Sequence, residues 1–190
     1  RTWGNLDAGV KTDKVSDKGY TVFTDSVDGS GEKEGVYYQY FDADLGRPVV
    51  NEGEDGLQKL DYALYKAEQE GIKLLITFTN NWEAFGGMGQ YVQWAKLAGE
   101  NVSGHDDFYT NETIKGWYKD YIKTLLNHEN VYTGVKYKDD PTIFSWELAN
   151  EPRCESDAGC ENNTVVKWAT EMSAYVKSID DNHMLAVGDE

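Results

Sequence analysis

The sequence predicts an α/β fold built on a parallel sheet, and three observations carry that expectation. Apolar runs rich in strand formers recur at 72–79, 142–149 and 184–187. Amphipathic stretches with helical spacing fill 55–70, 111–129 and the segment from Val165 to Ile179. The two kinds alternate, which implies parallel strands joined by right-handed crossovers. Three or four such units neither close a barrel nor bury both faces of a sheet, so residues 1–190 are expected to be a portion of one larger domain.

Arg1-Thr2-Trp3-Gly4 reads as the end of a strand. Residues 5–54 are rich in Asp, Gly, Lys and Tyr with weak periodicity, and are expected to be irregular apart from a short hairpin near Val36–Phe41. The next helix places Leu57, Leu60, Leu64 and Ala67 on one face after an acidic start, and Gly71 stops it. Ile72-Lys-Leu-Leu-Ile-Thr-Phe-Thr79 suits a strand covered on both faces. A polar and aromatic excursion is expected over 83–110. The second helix turns Ile114, Trp117, Tyr121 and Leu125 inward, and the third carries a stripe of Val165, Ala169, Met172, Val176 and Ile179. Trp117 and Trp168, on those helices, are read as packing residues.

Composition narrows the function. With 34 acidic against 18 basic residues the net charge is −16, which argues against nucleic acid and anionic membranes as partners. No run is long and apolar enough to span a bilayer. Cys154 and Cys160 enclose a short polar loop, wider than the C-x-x-C spacing of redox and metal sites. Together with N-x-S/T triplets at Asn101, Asn111 and Asn162, the pair tilts toward a secreted glycoprotein with a Cys154–Cys160 disulfide.

The most informative stretch is Pro141-Thr-Ile-Phe-Ser-Trp-Glu-Leu-Ala-Asn150-Glu151-Pro152-Arg153-Cys154. A strand ends there in an amide, an acid and a proline, which puts Glu151 at the C-terminal lip where parallel α/β folds do their chemistry. A carboxyl so placed suits general acid/base work. Glycoside hydrolysis needs two such groups, about 5–5.5 Å apart for retention. Glu147 lies on the same pleat face but roughly 13 Å along the strand, so it is not the second. It is expected instead to need a buried cationic partner. Glu190, ending the next strand, is read as a binding residue. Thr79-Asn80-Asn81-Trp82 supplies amides and an aromatic platform, with Trp3 as a second platform candidate.

Other motifs are weaker. Gly86-Gly87-Met88-Gly89 does not read as opening a helix after a strand, so it is not expected to cradle phosphate. His105, Asp106 and Asp107 read as a polar loop, because none of the three histidines has another ligand at i,i+4 spacing. There is no G-x-S-x-G elbow.

Trp146-Glu-Leu-Ala-Asn150-Glu151-Pro152-Arg153-Cys154 closely resembles the fourth-strand motif of glycoside hydrolase family five, in its fungal and plant endo-β-1,4-mannanase branch. Arg1-Thr-Trp3-Gly4, Asn80-Asn81-Trp82 and Gly188-Asp189-Glu190 are similar to its second-, third- and fifth-strand motifs. His105-x-x-Phe108-Tyr109-Thr110 and Tyr137-Lys-Asp-Asp-Pro141 match the same branch. The resemblance implies strands two to five of a (β/α)8 barrel, a retaining mechanism, no cofactor or metal, a monomeric state and a β-mannan substrate. It implies Glu151 as acid/base, Asn150 on the sugar 2-hydroxyl, and Arg1 ordering the carboxylates. Trp82, Arg153 and Glu190 would line the cleft. The nucleophile, a glutamate after the seventh strand, has no counterpart here, so the chain alone is expected to be inactive. A β-glucanase or xylanase of the same clan, or a non-catalytic sugar-binding relative, are the competing readings.

Overall fold

The computed structural model describes residues 1–156 and 161–189. Strand β1 (Thr2–Trp3) is followed by β2 (Asp7–Val15), β3 (Thr21–Thr24), a single-turn helix α1 (Ser30–Lys33), β4 (Gln39–Asp42) and β5 (Arg47–Val50). Helix α2 (Gln58–Gln69) then leads into β6 (Leu74–Thr77). Helices α3 (Gly87–Leu97), α4 (Asp107–Thr110) and α5 (Glu112–Asn127) precede β7 (Ile143–Glu147), and α6 (Thr164–Ile179) joins it to β8 (Met184–Ala186).

The principal sheet has the order β1-β6-β7-β8, with every neighbour parallel. Thr77 pairs with both Trp3 and Glu147, and Glu147 with Ala186, so the four strands reach one level together. The expected fold class is therefore the observed one. Helix α2 buries Leu60, Leu64 and Ala67 and ends at Gly71, whose φ of 66° is left-handed. The Asn111 side chain caps α5 by accepting the Ile114 N–H at 3.0 Å. That helix buries Ile114, Tyr118, Tyr121, Ile122 and Leu125, while Trp117 is only half-buried at its margin. Helix α6 buries Trp168, Ala169, Met172 and Val176. In β7 the Trp146 ring stacks on Phe78 with centroids 5.1 Å apart, and its indole N–H donates to Asp180 at 2.6 Å.

Two expectations fail. Residues 5–54 are not irregular: they form a second sheet of order β3-β2-β4-β5. In it β2 runs antiparallel to β3 but parallel to β4, and β4–β5 is a hairpin pairing Gln39 with Val50. The start of β2 is buried and its far half is exposed on both faces, so Lys11, Asp13 and Lys14 are solvated and dilute the apolar signal. The 83–110 excursion likewise contains α3, which buries Met88, Tyr91, Val92, Trp94 and Ala95.

Candidate active site

The site is assembled where β6, β7 and β8 run past their last ladder residues. Asn150 N–H donates to the Thr79 carbonyl at 2.9 Å and Asn81 N–H to that of Asn150 at 3.0 Å, an extension that pairs Asn80 with Asn150. On the other side Glu151 N–H donates to the Gly188 carbonyl at 3.0 Å. Gly188 has φ of 96°, and a Cβ there would lie 1.7 Å from the Ala149 carbonyl, so only glycine allows this approach. Glu151 itself adopts φ of 53°, a left-handed conformation disfavoured for a non-glycine residue. Such a backbone costs on the order of 1–3 kcal/mol and persists only where its surroundings fix it. Here the turn aims the carboxyl out over the lip.

Glu151 is met there by two side chains. The Trp82 indole N–H donates to its Oε2 at 2.8 Å, and Arg153 Nη2 lies 3.6 Å from the same oxygen. The Arg153 guanidinium also sits over the Trp82 ring, 5.4 Å from its centroid. Trp82 is 44% exposed, which leaves ring surface available as a platform. Asn150 is buried and donates to Asn80 Oδ1 at 2.8 Å. Asn80 was expected to bind substrate, but it is 2% exposed and its amide is engaged inside the protein. Its Oδ1 also accepts the Trp82 N–H at 3.3 Å, and its Nδ2 donates to the Ala84 carbonyl at 3.0 Å. Asn80 thus stands behind Asn150 and Trp82 and orients both.

A further group of residues, unassigned by sequence reasoning, holds the loop after Glu151. Asn81 Oδ1 accepts the Arg153 N–H at 3.1 Å, and the buried Tyr109 hydroxyl reaches the Arg153 carbonyl at 3.1 Å. Asp106 accepts the backbone N–H groups of Glu155 and Ser156 at 2.8 and 2.9 Å and the Ser156 hydroxyl at 2.6 Å. His105 bridges Asp106 Oδ1 and the Asn81 carbonyl at 3.1 and 3.0 Å. Partial burial works against the Asp106 charge, but these hydrogen bonds outweigh it and hold its carboxyl below the ordinary range. The only signal in the sequence was the His105-x-x-Phe108-Tyr109 pattern, which names residues without showing what they grip.

Arg1 forms an ion pair with Glu147, the cationic partner expected for that acid. Its guanidinium side is 43% exposed, so the partner is at the sheet's rim rather than buried. Arg1 also lies 5.6 Å from the Trp3 ring centroid, and Trp3 packs against Phe85 at 5.3 Å. Among the described residues, neither Arg1 nor Trp3 hydrogen-bonds Glu151. Glu190 and Cys160 lie outside the described residues.

The glycine loop differs from expectation, because Gly86 caps α3 and the loop does open a helix. Its first N–H groups are already satisfied within the protein: Gly87 donates to Asp7 Oδ2 at 3.1 Å and Met88 to the Asn80 carbonyl at 2.8 Å. Burial pushes the Asp7 carboxyl up to about 7, against opposing hydrogen bonds from Gln39, Asn5 and Gly87. A Cβ at Gly87, whose φ is 59°, would lie 2.4 Å from the Asn80 carbonyl oxygen and 2.5 Å from that of Trp82. Gly87→Ala is therefore expected to lower stability by about 2 kcal/mol or more, read from the shift in urea midpoint. An unchanged midpoint would contradict this packing.

A family model described as GH family 5 beta-mannosidase-like matches residues 32–190. The chain belongs to this family. A mannan endo-1,4-beta-mannosidase 1 of Oryza sativa subsp. japonica is 49% identical over 138 residues, covering 73% of this chain and 32% of the relative. The endo-1,4-beta-mannanase structure from Rhizomucor miehei matches with a TM-score of 0.73 at 46% identity, over 82% of this chain and 44% of that one. A hyperthermostable endo-1,4-beta-D-mannanase from Thermotoga petrophila RKU-1 matches 99% of this chain and 46% of its own, with a TM-score of 0.70 at 42% identity. The chain spans about a third of the length of the curated relatives it matches. Its parallel sheet is accordingly part of a family-five (β/α)8 barrel, and the four strands of that sheet are consecutive staves.

Proposed function

We propose that this chain supplies the acid/base half of an endo-acting, retaining β-1,4-mannan hydrolase. The observation that carries the reading is Glu151, turned out over the lip by a left-handed backbone and held beside Asn150 by the Trp82 indole. In the first step Glu151 protonates the glycosidic oxygen, while a carboxylate contributed from beyond these residues attacks the anomeric carbon. In the second step the Glu151 carboxylate takes a proton from the water that releases the sugar. Asn150 addresses the sugar 2-hydroxyl, Trp82 lines the cleft with Arg153 on its leaving-group side, and Arg1 orders the carboxylates. Glu190 completes the binding surface.

We also infer a secreted, monomeric protein in which a Cys154–Cys160 disulfide supports the Arg153 loop. Of the three triplets for N-glycosylation, Asn101 is exposed. The Asn111 amide is instead committed to capping α5 and to Glu100 at 3.2 Å, which disfavours it as an acceptor. Reducing-sugar release by the full-length enzyme from mannan, galactomannan, cellulose and xylan tests the function. Release is expected to be greatest from the mannans. Greater release from cellulose or xylan would move the assignment to another member of the clan, and oligosaccharide binding without any product would make the protein a lectin.

A further inference from the structure

We propose that Trp82 is a positioning residue for proton transfer, acting through its indole N–H as well as its ring. The inference rests on the assignment of Glu151 as acid/base. An indole nitrogen can only donate a hydrogen bond, so the oxygen that it meets must accept. That oxygen is Oε2, at 2.8 Å, and the Arg153 guanidinium stands 3.6 Å from the same atom. With a donor and a cation both at Oε2, the proton of the acid form belongs on Oε1. Trp82 therefore selects which oxygen of Glu151 delivers the proton.

The geometry around Trp82 supports a fixed role. The terminal torsion of a glutamate is broad and nearly two-fold, so an unpartnered carboxyl presents either oxygen. Here the partner is itself held: the Trp82 backbone N–H donates to Asn80 Oδ1, which also accepts from the Asn150 side-chain amide. Arg153 is fixed at its backbone by Asn81 and Tyr109. The acid, its proton-directing donor and the neighbouring amide are thus tied to one buried residue, Asn80. In the reaction, Oε1–H breaks as its proton passes to the glycosidic oxygen. The C–O bond then cleaves with its electron pair remaining on that oxygen, and Oε2 keeps its hydrogen bond throughout.

Trp82→Phe in the full-length enzyme removes the N–H and retains an aromatic face. Its kcat/KM on mannotetraose is expected to fall about tenfold to hundredfold, as for loss of a hydrogen bond to a charged group. On 2,4-dinitrophenyl β-mannobioside, whose leaving group departs without protonation, kcat/KM should change less than about threefold. Because Phe keeps the ring, no loss on either substrate would reduce Trp82 to a platform, and equal losses on both would tie its effect to something other than proton delivery. Either result overturns the proposal. Glu151→Ala is measured alongside on the same two substrates. If it selectively loses mannotetraose turnover while Trp82→Phe does not, the acid/base assignment stands and only the role of Trp82 fails. If Glu151→Ala also shows no selectivity, both fall.

Discussion

Glu151→Gln in the full-length enzyme is expected to lower kcat on mannan by about 10²- to 10⁴-fold, the range for removing a positioned general acid/base. The amide is nearly isosteric, so it can still accept the Trp82 indole N–H, and the left-handed turn at Glu151 is set by backbone bonds that the substitution leaves in place. Binding of mannotetraose by isothermal titration should consequently stay within about threefold of the parent. Chemistry and binding separate because the acid's proton is needed in the transition state and hardly at all in the ground state. Parent-like turnover would remove Glu151 from the mechanism. A parallel collapse of binding would show that the residue holds the cleft together rather than transferring a proton.

The largest stability effect is expected far from the lip, at Asp61. This carboxylate on α2 is fully buried and serves as a hub: it accepts from the Tyr137 hydroxyl, from Val131 N–H at 3.2 Å and from His128 Nε2 at 3.1 Å. His128 Nδ1 in turn reaches Glu52 at 2.7 Å. Asp61→Ala would leave a buried imidazolium and a buried phenol without their acceptor, and is expected to cost about 3–5 kcal/mol in urea unfolding. A loss under about 1 kcal/mol would mean that water replaces the carboxylate, contrary to its burial.

The same cluster sets a pH dependence. Burial alone would lower the His128 pKa, but the carboxylates of Asp61 and Glu52 outweigh it and raise the value above 6.5. A group with a raised folded pKa binds its proton more tightly when folded. Its stabilisation is complete below about pH 6.5 and is lost as the pH rises through the folded value. His128→Gln should therefore lower stability more at pH 5.5 than at pH 9. An equal loss at both would place a neutral histidine between the two acids.

Much of the fold was readable because its signals are local. The stripes on α2, α5 and α6 follow from 3.6-residue spacing, and β6, β7 and β8 announce themselves as short apolar runs bounded by turns. The second sheet was missed because its stability comes from pairing residues far apart, such as Asp7 with Gln39, and because the far half of β2 is charged and exposed. Helix α3 was missed because its glycine-rich start resembles a loop. Gly86 and Gly87 are there for a different reason, the close approach of Asp7, Asn80 and Trp82 backbone atoms.

The candidate site divides in the same way. Asn150-Glu151-Pro152 at the end of a strand was enough to place Glu151 at the sheet's C-terminal lip, because proline stops a ladder, while its acid/base role follows from the family resemblance and stands as a proposal. What Glu151 touches was decided by tertiary structure alone. Its indole partner is 69 residues away in sequence, and the Asp106 clamp lies 49 residues from the backbone it holds. Chain order determined which residues arrive at the lip, since each strand carries its own terminal motif. Only the packing of strands and loops against one another determined which atoms meet, because hydrogen-bond geometry is fixed by distances in space that sequence separation does not encode.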